Sequence, residues 1–429
     1  MQRTYVKDLK NKIGEQVSIK GFVHAIRDQG GIKFLIIRDV TGLIQAVVLK
    51  SEKAVFDFVK ELTLESVIEI EGLVKDQKNA PNGFEILALT INLLSKSEAQ
   101  LPIPVVTEKS GEETDQTIRF DYRWIDLRKP EKLAIFKAWT EFEKGIRKYF
   151  DNNNYLQIYT PSFMSTSSES GAEVFEVKYF DRKAYLAQSP QFYKQMAMAA
   201  GFEKIFVWGP VYRAEPSYTT RHVTEFTGLD FEISYIESHH DIMSEMERML
   251  IAGFTQLKAS GIAVEIPFTP FPQMTLKEVK EKIKHLGIKN EKDYDINAEE
   301  ERELGRIVKE ETGHDFVFVI DWPIQARPFY HMRHGKNMEL TKSFDLVYKG
   351  LEIVTGAQRE HRSEILEKQA VDKGMDLEAV KEYISFFKYG CPPHGGVGIG
   401  PARIIMKMLD LPSIKEAIFL PRDVKRLTP

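Results

Sequence analysis

Arg213-Ala-Glu215-Pro-Ser-Tyr-Thr219-Thr-Arg221-His222-Val-Thr-Glu225-Phe226 packs five ionisable side chains into thirteen residues around a Pro-Ser-Tyr turn. No apolar period accounts for them. The stretch reads as strand, loop and strand, with Arg213, Glu215, Arg221, His222 and Glu225 gathered at one bend. Guanidinium forks match phosphate oxygens, so an anion site fits this hairpin; a solvated surface hairpin fits it too.

Around it, strands are expected near Ala184–Leu186, Lys204–Val207, Phe226–Ser234, Phe316–Ile320, Ser343–Tyr348 and Leu351–Thr355. Most are joined by hairpins or long excursions rather than βαβ crossovers, which predicts an antiparallel α+β domain and not a Rossmann fold. A long helix is expected at about Glu131–Asn152 and a shorter one at Pro401–Met408. This larger domain is expected over 129–429, with a peripheral helical lobe around 238–312. Upstream, residues 16–24 alternate as a half-buried strand does, and four more short strands and one helix follow before residue 98. That order predicts an OB-fold β-barrel over 1–98, a module that presents one face to single-stranded nucleic acid. Residues 99–128, polar and broken by Pro102 and Pro104, are expected to be a linker.

Composition bounds the remainder. Hydrophobic residues at 43% and charged residues at 28% exclude a disordered, collagen-like or coiled-coil chain. No apolar run is long enough for a membrane span and no signal core opens the chain, so no membrane partner is expected. The single cysteine, Cys391, excludes an intramolecular disulfide and a Cys-based zinc site, and suggests a cytoplasmic protein. The net charge of −4 argues against a wholly basic nucleic-acid binder, but charge is uneven. Residues 1–50 hold nine Lys/Arg against four Asp/Glu, and residues 51–100 five against nine. Binding follows the local field, not the total.

Three further constellations stand out. Asp345, Glu352 and Thr355, on successive expected strands, offer hard oxygen ligands suited to Mg²⁺ with substrate phosphates. Gly395-Gly-Val-Gly398-Ile-Gly400-Pro401-Ala402-Arg403 lets a strand backbone approach a flat ligand and sets Arg403 near a helix start. It is no Walker loop, because no Gly-Lys-Ser/Thr follows. Gln188-Ser189-Pro190-Gln191-Phe192-Tyr193-Lys194 is a strand end and helix start, with Lys194 one turn in; taken alone, that lysine reads as exposed.

Together these stretches resemble the class II aminoacyl-tRNA synthetases, in the subgroup for aspartate, asparagine and lysine. Arg213–Phe226 is similar to that class's second motif, Gly398–Arg403 to its third, and the helix ending in Tyr155-Leu-Gln-Ile-Tyr-Thr160-Pro161 to its dimer-forming first. The likeness spans nearly the whole chain and is greatest to aspartyl-tRNA synthetases of the compact archaeal/eukaryotic type.

The resemblance implies an ATP- and Mg²⁺-dependent ligase, homodimeric, with L-aspartate and tRNA as substrates and no DNA partner. Arg213 would hold the α-phosphate and the amino-acid carboxylate, and Arg221 and His222 the outer phosphates. Phe226 and Arg403 would sandwich adenine, Glu215 would accept from its amino group, and Ala214, Val223, Gly400, Pro401 and Ala402 would complete the ATP site. Asp345, Glu352 and Thr355 would hold Mg²⁺. Lys194 and Arg359 would offer two cations to the aspartate side chain, Glu169 would take its ammonium, Gln191 would orient it, and Phe192, Tyr193 and Thr355 would line the site. In the barrel, Arg27, Phe34 and Gln45 would meet the anticodon. His24 and Pro81 stand where strict relatives are expected to have a tryptophan and a lysine, so the resemblance also implies charging of both tRNA-Asp and tRNA-Asn. Ala402, Pro401, Thr355 and Ala357 depart from the usual pattern. An asparagine-specific enzyme, a non-catalytic RNA-binding relative and an amide synthetase on the same catalytic fold are the alternatives. Lys194, the retained arginines and the barrel, respectively, count against them.

Overall fold

The N-terminal strands close on themselves because their apolar residues alternate and a closed ladder leaves no edge unpaired. In the computed structural model, which describes residues 1–106, 113–166, 173–216 and 219–428, the chain divides into two units, Met1–Leu133 and Ala134–Pro429. The first holds a closed barrel of β1 (Gln16–Asp28), β2 (Ile32–Asp39), β3 (Gly42–Leu49), β4 (Val67–Asp76) and β5 (Phe84–Ser95), in the order β1-β2-β3-β5-β4. Helix α1 (Lys53–Phe58) falls between β3 and β4. The inward set, including Val23, Leu35, Ile44, Ala46, Ile68, Ile70 and Ile86, is fully buried. The β1–β2 register slips between Val23 and Ala25, so His24 is the extra residue of a β-bulge.

The stretch expected as a linker carries two short helices, α2 (Gln116–Asp121) and α3 (Arg123–Asp126), and belongs to the first unit. Its Ile103, Val105 and Ile125 form a small apolar cluster, and buried Asp126 binds Arg123 at 2.7 Å and Lys129 at 3.1 Å.

Helix α4 (Pro130–Asn152) precedes the strands of the second unit: β6 (Leu156–Gln157), β7 (Phe163–Met164), β8 (Glu176–Tyr179), β9 (Arg182–Leu186), β10 (Lys204–Tyr212), β11 (Glu225–Ser234), β12 (Gln273–Thr275), β13 (Phe316–Ile320), β14 (Ser343–Tyr348), β15 (Leu351–Arg359) and β16 (His394–Ile399). Eight of them form one sheet in the order β12-β13-β14-β15-β16-β11-β10-β6, antiparallel except at its two ends, and β7-β9-β8 form a small second sheet. The other helices are α5 (Gln191–Ala199), α6 (His239–Ala259), α7 (Leu276–Ile283), α8 (Ala298–Thr312), α9 (Ser363–Asp372), α10 (Leu377–Ser385) and α11 (Pro401–Met408).

The sequence places α6 in a peripheral lobe. Instead its Ile242, Met246, Met249, Leu250 and Phe254 are buried in the main core with Phe142 and Ile146 of α4. An apolar stripe that wide must be covered, and the sheet's own core covers it. The α7–α8 segment packs separately, against Val317 and Val319 of β13 and Trp322.

Candidate functional site

Strand β16 is the spine of the site. It pairs with β15 on one side and β11 on the other, and its glycines permit a close approach. A Cβ on Gly396 would lie 2.2 Å from Glu232 Oε2, so only glycine leaves room for that carboxylate. Beside the spine lies a cavity lined by Arg213, Glu215, Arg221, His222, Val223 and Phe226 from the β10–β11 hairpin. Glu352, Thr355 and Arg359 of β15, Gln191 of α5, and Gly400, Ala402 and Arg403 at the start of α11 complete the predicted part of the wall. The structure therefore brings together residues up to 212 positions apart, from Gln191 to Arg403.

Within the hairpin, Arg213 Nη1 stands 3.6 Å from Glu215, and its guanidinium lies over the Phe226 ring at 5.8 Å. Arg221 Nη1 donates to both carboxylate oxygens of Glu301 of α8, at 3.1 Å each. Burial, with Glu352 adding to it, pushes the Glu301 carboxyl above its ordinary value. Burial also lowers the His222 imidazole, helped by Arg403. Arg403 donates to the Glu352 carbonyl oxygen at 2.9 Å, and Pro401 opens α11, as a residue without an N–H should.

The two cations proposed for a substrate side chain are both committed within the protein. Lys194 is fully buried: its ammonium bonds Asp230 at 2.7 Å, Glu232 at 3.4 Å and the Val397 carbonyl oxygen at 2.9 Å. It does not reach the cavity wall, where Asp230 stands instead. This corrects the picture of an exposed helix lysine. A buried ammonium requires carboxylate partners, and β11 supplies two at the same face. Arg359 donates from Nε to Glu232 at 3.0 Å, from Nη1 to His331 Nε2 at 2.8 Å and from Nη2 to the Gly396 carbonyl oxygen at 2.9 Å. Burial pushes Asp230 up against the pull of Lys194. For Glu232 burial is outweighed by Arg359 and Lys194, and the carboxyl stays below its ordinary value.

Asp345 and Thr355 are cross-strand partners, and the Thr355 hydroxyl donates to Glu352 Oε1 at 3.0 Å. Asp345 Oδ2 binds Arg327 at 2.6 Å, while its buried Oδ1 has no partner. Burial raises this carboxyl to about 7, with Glu352 adding and Arg327 opposing. An unpartnered carboxylate oxygen beside a second carboxylate and a hydroxyl is an all-oxygen donor set, which suits Mg²⁺.

Some expected residues are elsewhere. Phe192 is buried and stacks on Tyr383 at 4.1 Å; Phe192, Tyr193, Ala214 and Pro401 are absent from the cavity wall, as is Asp345, which lies buried behind Thr355. A strand end and helix start alternate inward and outward faces, so neighbours of a lining residue need not line. Glu169, Ser217 and Tyr218 lie outside the described residues. The sequence reading missed Asp230, Glu232, Glu301, Arg327 and His331. The usable signal was Asp230 and Glu232 two apart in an otherwise apolar strand, hence on one face.

In the barrel, Arg27 of β1 is the cross-strand partner of Phe34, and Gln45 of β3 faces Ile36, two along from Phe34. All three share the outer face. Gln45 donates to Glu85 at 2.8 Å. His24, half-buried, meets Arg38 Nη1 through Nδ1 at 2.8 Å, and Arg38 is in turn bidentate to Glu65. Pro81 is exposed in the β4–β5 turn.

The chain matches two family models: tRNA synthetases class II (D, K and N) over residues 115–424, and an OB-fold nucleic acid binding domain over 17–94. It is 42% identical to an aspartate–tRNA(Asp/Asn) ligase of Aeropyrum pernix, across 97% of this chain and 96% of the relative. It is 39% identical to an aspartate–tRNA(Asp) ligase of Pyrococcus furiosus, across 97% of each. Among solved structures it is similar to an asparaginyl-tRNA synthetase of Pyrococcus horikoshii complexed with asparaginyl-adenylate, at 29% identity, TM-score 0.92 and full coverage of both chains. An aspartyl-tRNA synthetase of Entamoeba histolytica matches at 31% identity and TM-score 0.89, across all of this chain and 93% of that one.

Proposed function

Because the chain belongs to the class II tRNA synthetases of the D, K and N group, we propose that it activates L-aspartate with ATP to aspartyl-adenylate and transfers the aspartyl group to tRNA. The observation that carries the amino-acid choice is the buried pair of cations, Lys194 and Arg359, set against Asp230 and Glu232 at one end of the cavity. Three of the five N–H groups of Arg359 are used within the protein, which leaves two for a substrate carboxylate. Burial raises the Asp230 carboxyl against the pull of Lys194, and a substrate carboxylate pairs with the two remaining Arg359 donors more strongly than an amide does.

At the other end, Arg213 neutralises the α-phosphate and the attacking carboxylate, while Arg221 and His222 take the outer phosphates. Phe226 and Arg403 enclose adenine, whose amino group meets Glu215, and Val223, Gly400 and Ala402 complete that wall. Asp345, Glu352 and Thr355 would hold Mg²⁺, which would neutralise phosphate charge. The attacking carboxylate is already ionised, so no general base is needed and the residues act by positioning. Gln191 and Glu169 take the amino group of the substrate.

The barrel reads the anticodon through Arg27, Phe34 and Gln45, with His24 and Pro81 accepting both tRNA-Asp and tRNA-Asn. The shared outer face of the first three supports this. A homodimer in the cytoplasm is the setting proposed for it; no helix among the described residues is long and apolar enough to cross a membrane. The deciding experiment is ATP–pyrophosphate exchange with aspartate, asparagine and lysine side by side. Aspartate alone should support it, and exchange with asparagine instead would overturn the reading.

A further inference from the structure

Behind Gln191 runs a file of buried polar groups whose direction is set from its far end. The carbonyl oxygen of Pro392 can only accept, so His394 Nδ1, 2.8 Å away, carries the ring proton. The Cys391 sulfur, 3.6 Å from the same nitrogen, is too weak a partner to change this. Burial lowers the His394 pKa to about 4, so the ring is neutral and Nε2 is an acceptor. Opposite Nε2, at 3.1 Å, stands the Gln195 side-chain nitrogen, which therefore donates. The Gln195 carbonyl oxygen then accepts from the Tyr383 hydroxyl and from Gln191 Nε2, each at 2.9 Å. Gln191, Gln195, Tyr383 and His394 are all buried, so bulk water does not compete. Gln191 and Gln195 are one turn apart on α5, which keeps the first link short.

One N–H of Gln191 Nε2 is committed to Gln195, which fixes the amide's orientation, and the Gln191 carbonyl oxygen makes no hydrogen bond among the described residues. We propose that Gln195, Tyr383 and His394 form a relay that holds the Gln191 carbonyl oxygen toward the ammonium of the amino-acid substrate. His394 is then a positioning residue that never touches the substrate. An inverted Gln191 amide would present N–H donors to a cation and lose a charge-assisted bond. The inference rests on amino-acid activation in this cavity.

The test compares aspartate with succinate, which has both carboxylates and no ammonium, as a competitive inhibitor of exchange. His394→Leu should raise the aspartate KM about ten-fold or more while the ATP KM and the succinate inhibition constant stay put. His394→Gln, which restores an acceptor in the place of Nε2, should recover most of the loss. Should the leucine variant fail to fold, Tyr383→Phe removes a single hydroxyl and carries the same comparison. An unchanged aspartate KM, or succinate and aspartate weakened together, overturns the relay. Absence of aspartate-dependent exchange in the wild type would overturn the activity reading instead. The relay is then tested with the deaminated analogue of whichever amino acid the enzyme does activate.

Discussion

Lys194 and Asp230 form an ion pair of 2.7 Å in which the ammonium is 0% and the carboxylate 8% exposed. Glu232 lies 3.4 Å from the same ammonium and 3.0 Å from Arg359 Nε, so one carboxylate joins both cations. In the function proposed above, selectivity for a substrate anion would belong to a four-charge cluster rather than to a free lysine. Removing a member has two effects, on recognition and on the charges left behind.

Lys194→Leu should therefore cut aspartate activation by roughly 10²-fold or more and destabilise the fold by about 3–5 kcal/mol, because buried Asp230 loses its lysine partner while Glu232 keeps Arg359. Adding Asp230→Asn should recover the urea midpoint without recovering exchange. Full activity in Lys194→Leu would remove this residue from substrate recognition.

Gly396→Ala tests the same cluster from the backbone. The new Cβ would meet Phe231 O at 2.1 Å and Glu232 Oε2 at 2.2 Å, so something must move. We expect a stability loss of about 1–3 kcal/mol and a raised aspartate KM as Glu232 is displaced. Unaltered exchange kinetics would mean that Glu232 has slack the geometry does not reveal.

His394 gives a pH signature. Its folded pKa of about 4 lies below the ordinary 6.5, so between these values the unfolded chain binds a proton and the folded chain does not. Stability from this group is present above pH 6.5 and lost as pH falls toward 4. Denaturant titrations at several pH values in this window should decline less steeply for His394→Gln than for the wild type. Parallel curves would place the titration elsewhere.

Arg403→Ala should raise the ATP KM or slow exchange and leave tRNA affinity unchanged, since Arg403 lies at the cavity edge, bonded to the Glu352 carbonyl oxygen. Filter binding of tRNA beside exchange kinetics separates the two. Weakened tRNA binding with normal exchange would contradict an ATP role.

For tRNA, aminoacylation of purified tRNA-Asp and tRNA-Asn should proceed comparably with the wild type. His24→Trp with Pro81→Lys should suppress the second. A wild-type preference of ~100-fold, equivalent to about 2.7 kcal/mol, would mean that other barrel residues discriminate.

Much of the scaffold was legible because local pattern decides it. Alternation marks the barrel strands, and the apolar runs Phe316–Ile320 and Ser343–Tyr348 are strands to the residue. The β10–β11 hairpin, the glycine strand and Pro401 at the start of α11 follow from turn and cap chemistry. What escaped depends on contacts distant in sequence. Arg327 meets Asp345 from a loop, Glu301 meets Arg221 from a helix 80 residues away, and Asp230 covers Lys194 from the neighbouring strand. Periodicity gives the face on which a side chain lies, but not what packs over that face. The same limit set α6 outside the core and Phe192 inside the cavity, against where they lie.

The bulge at His24 bears on what a substitution there can disturb. Because that residue is extra to the β1–β2 ladder, the pairings Val23↔Ile37 and Ala25↔Ile36 do not depend on what stands there. A change at position 24 leaves the downstream partners, Arg27 with Phe34 among them, in register and on the same face. What a substitution there does alter is the side-chain network His24 joins, through Arg38 to Glu65. Under the role proposed for His24, its part in the choice of tRNA can change while the pairing that carries Arg27 and Phe34 stays as it is.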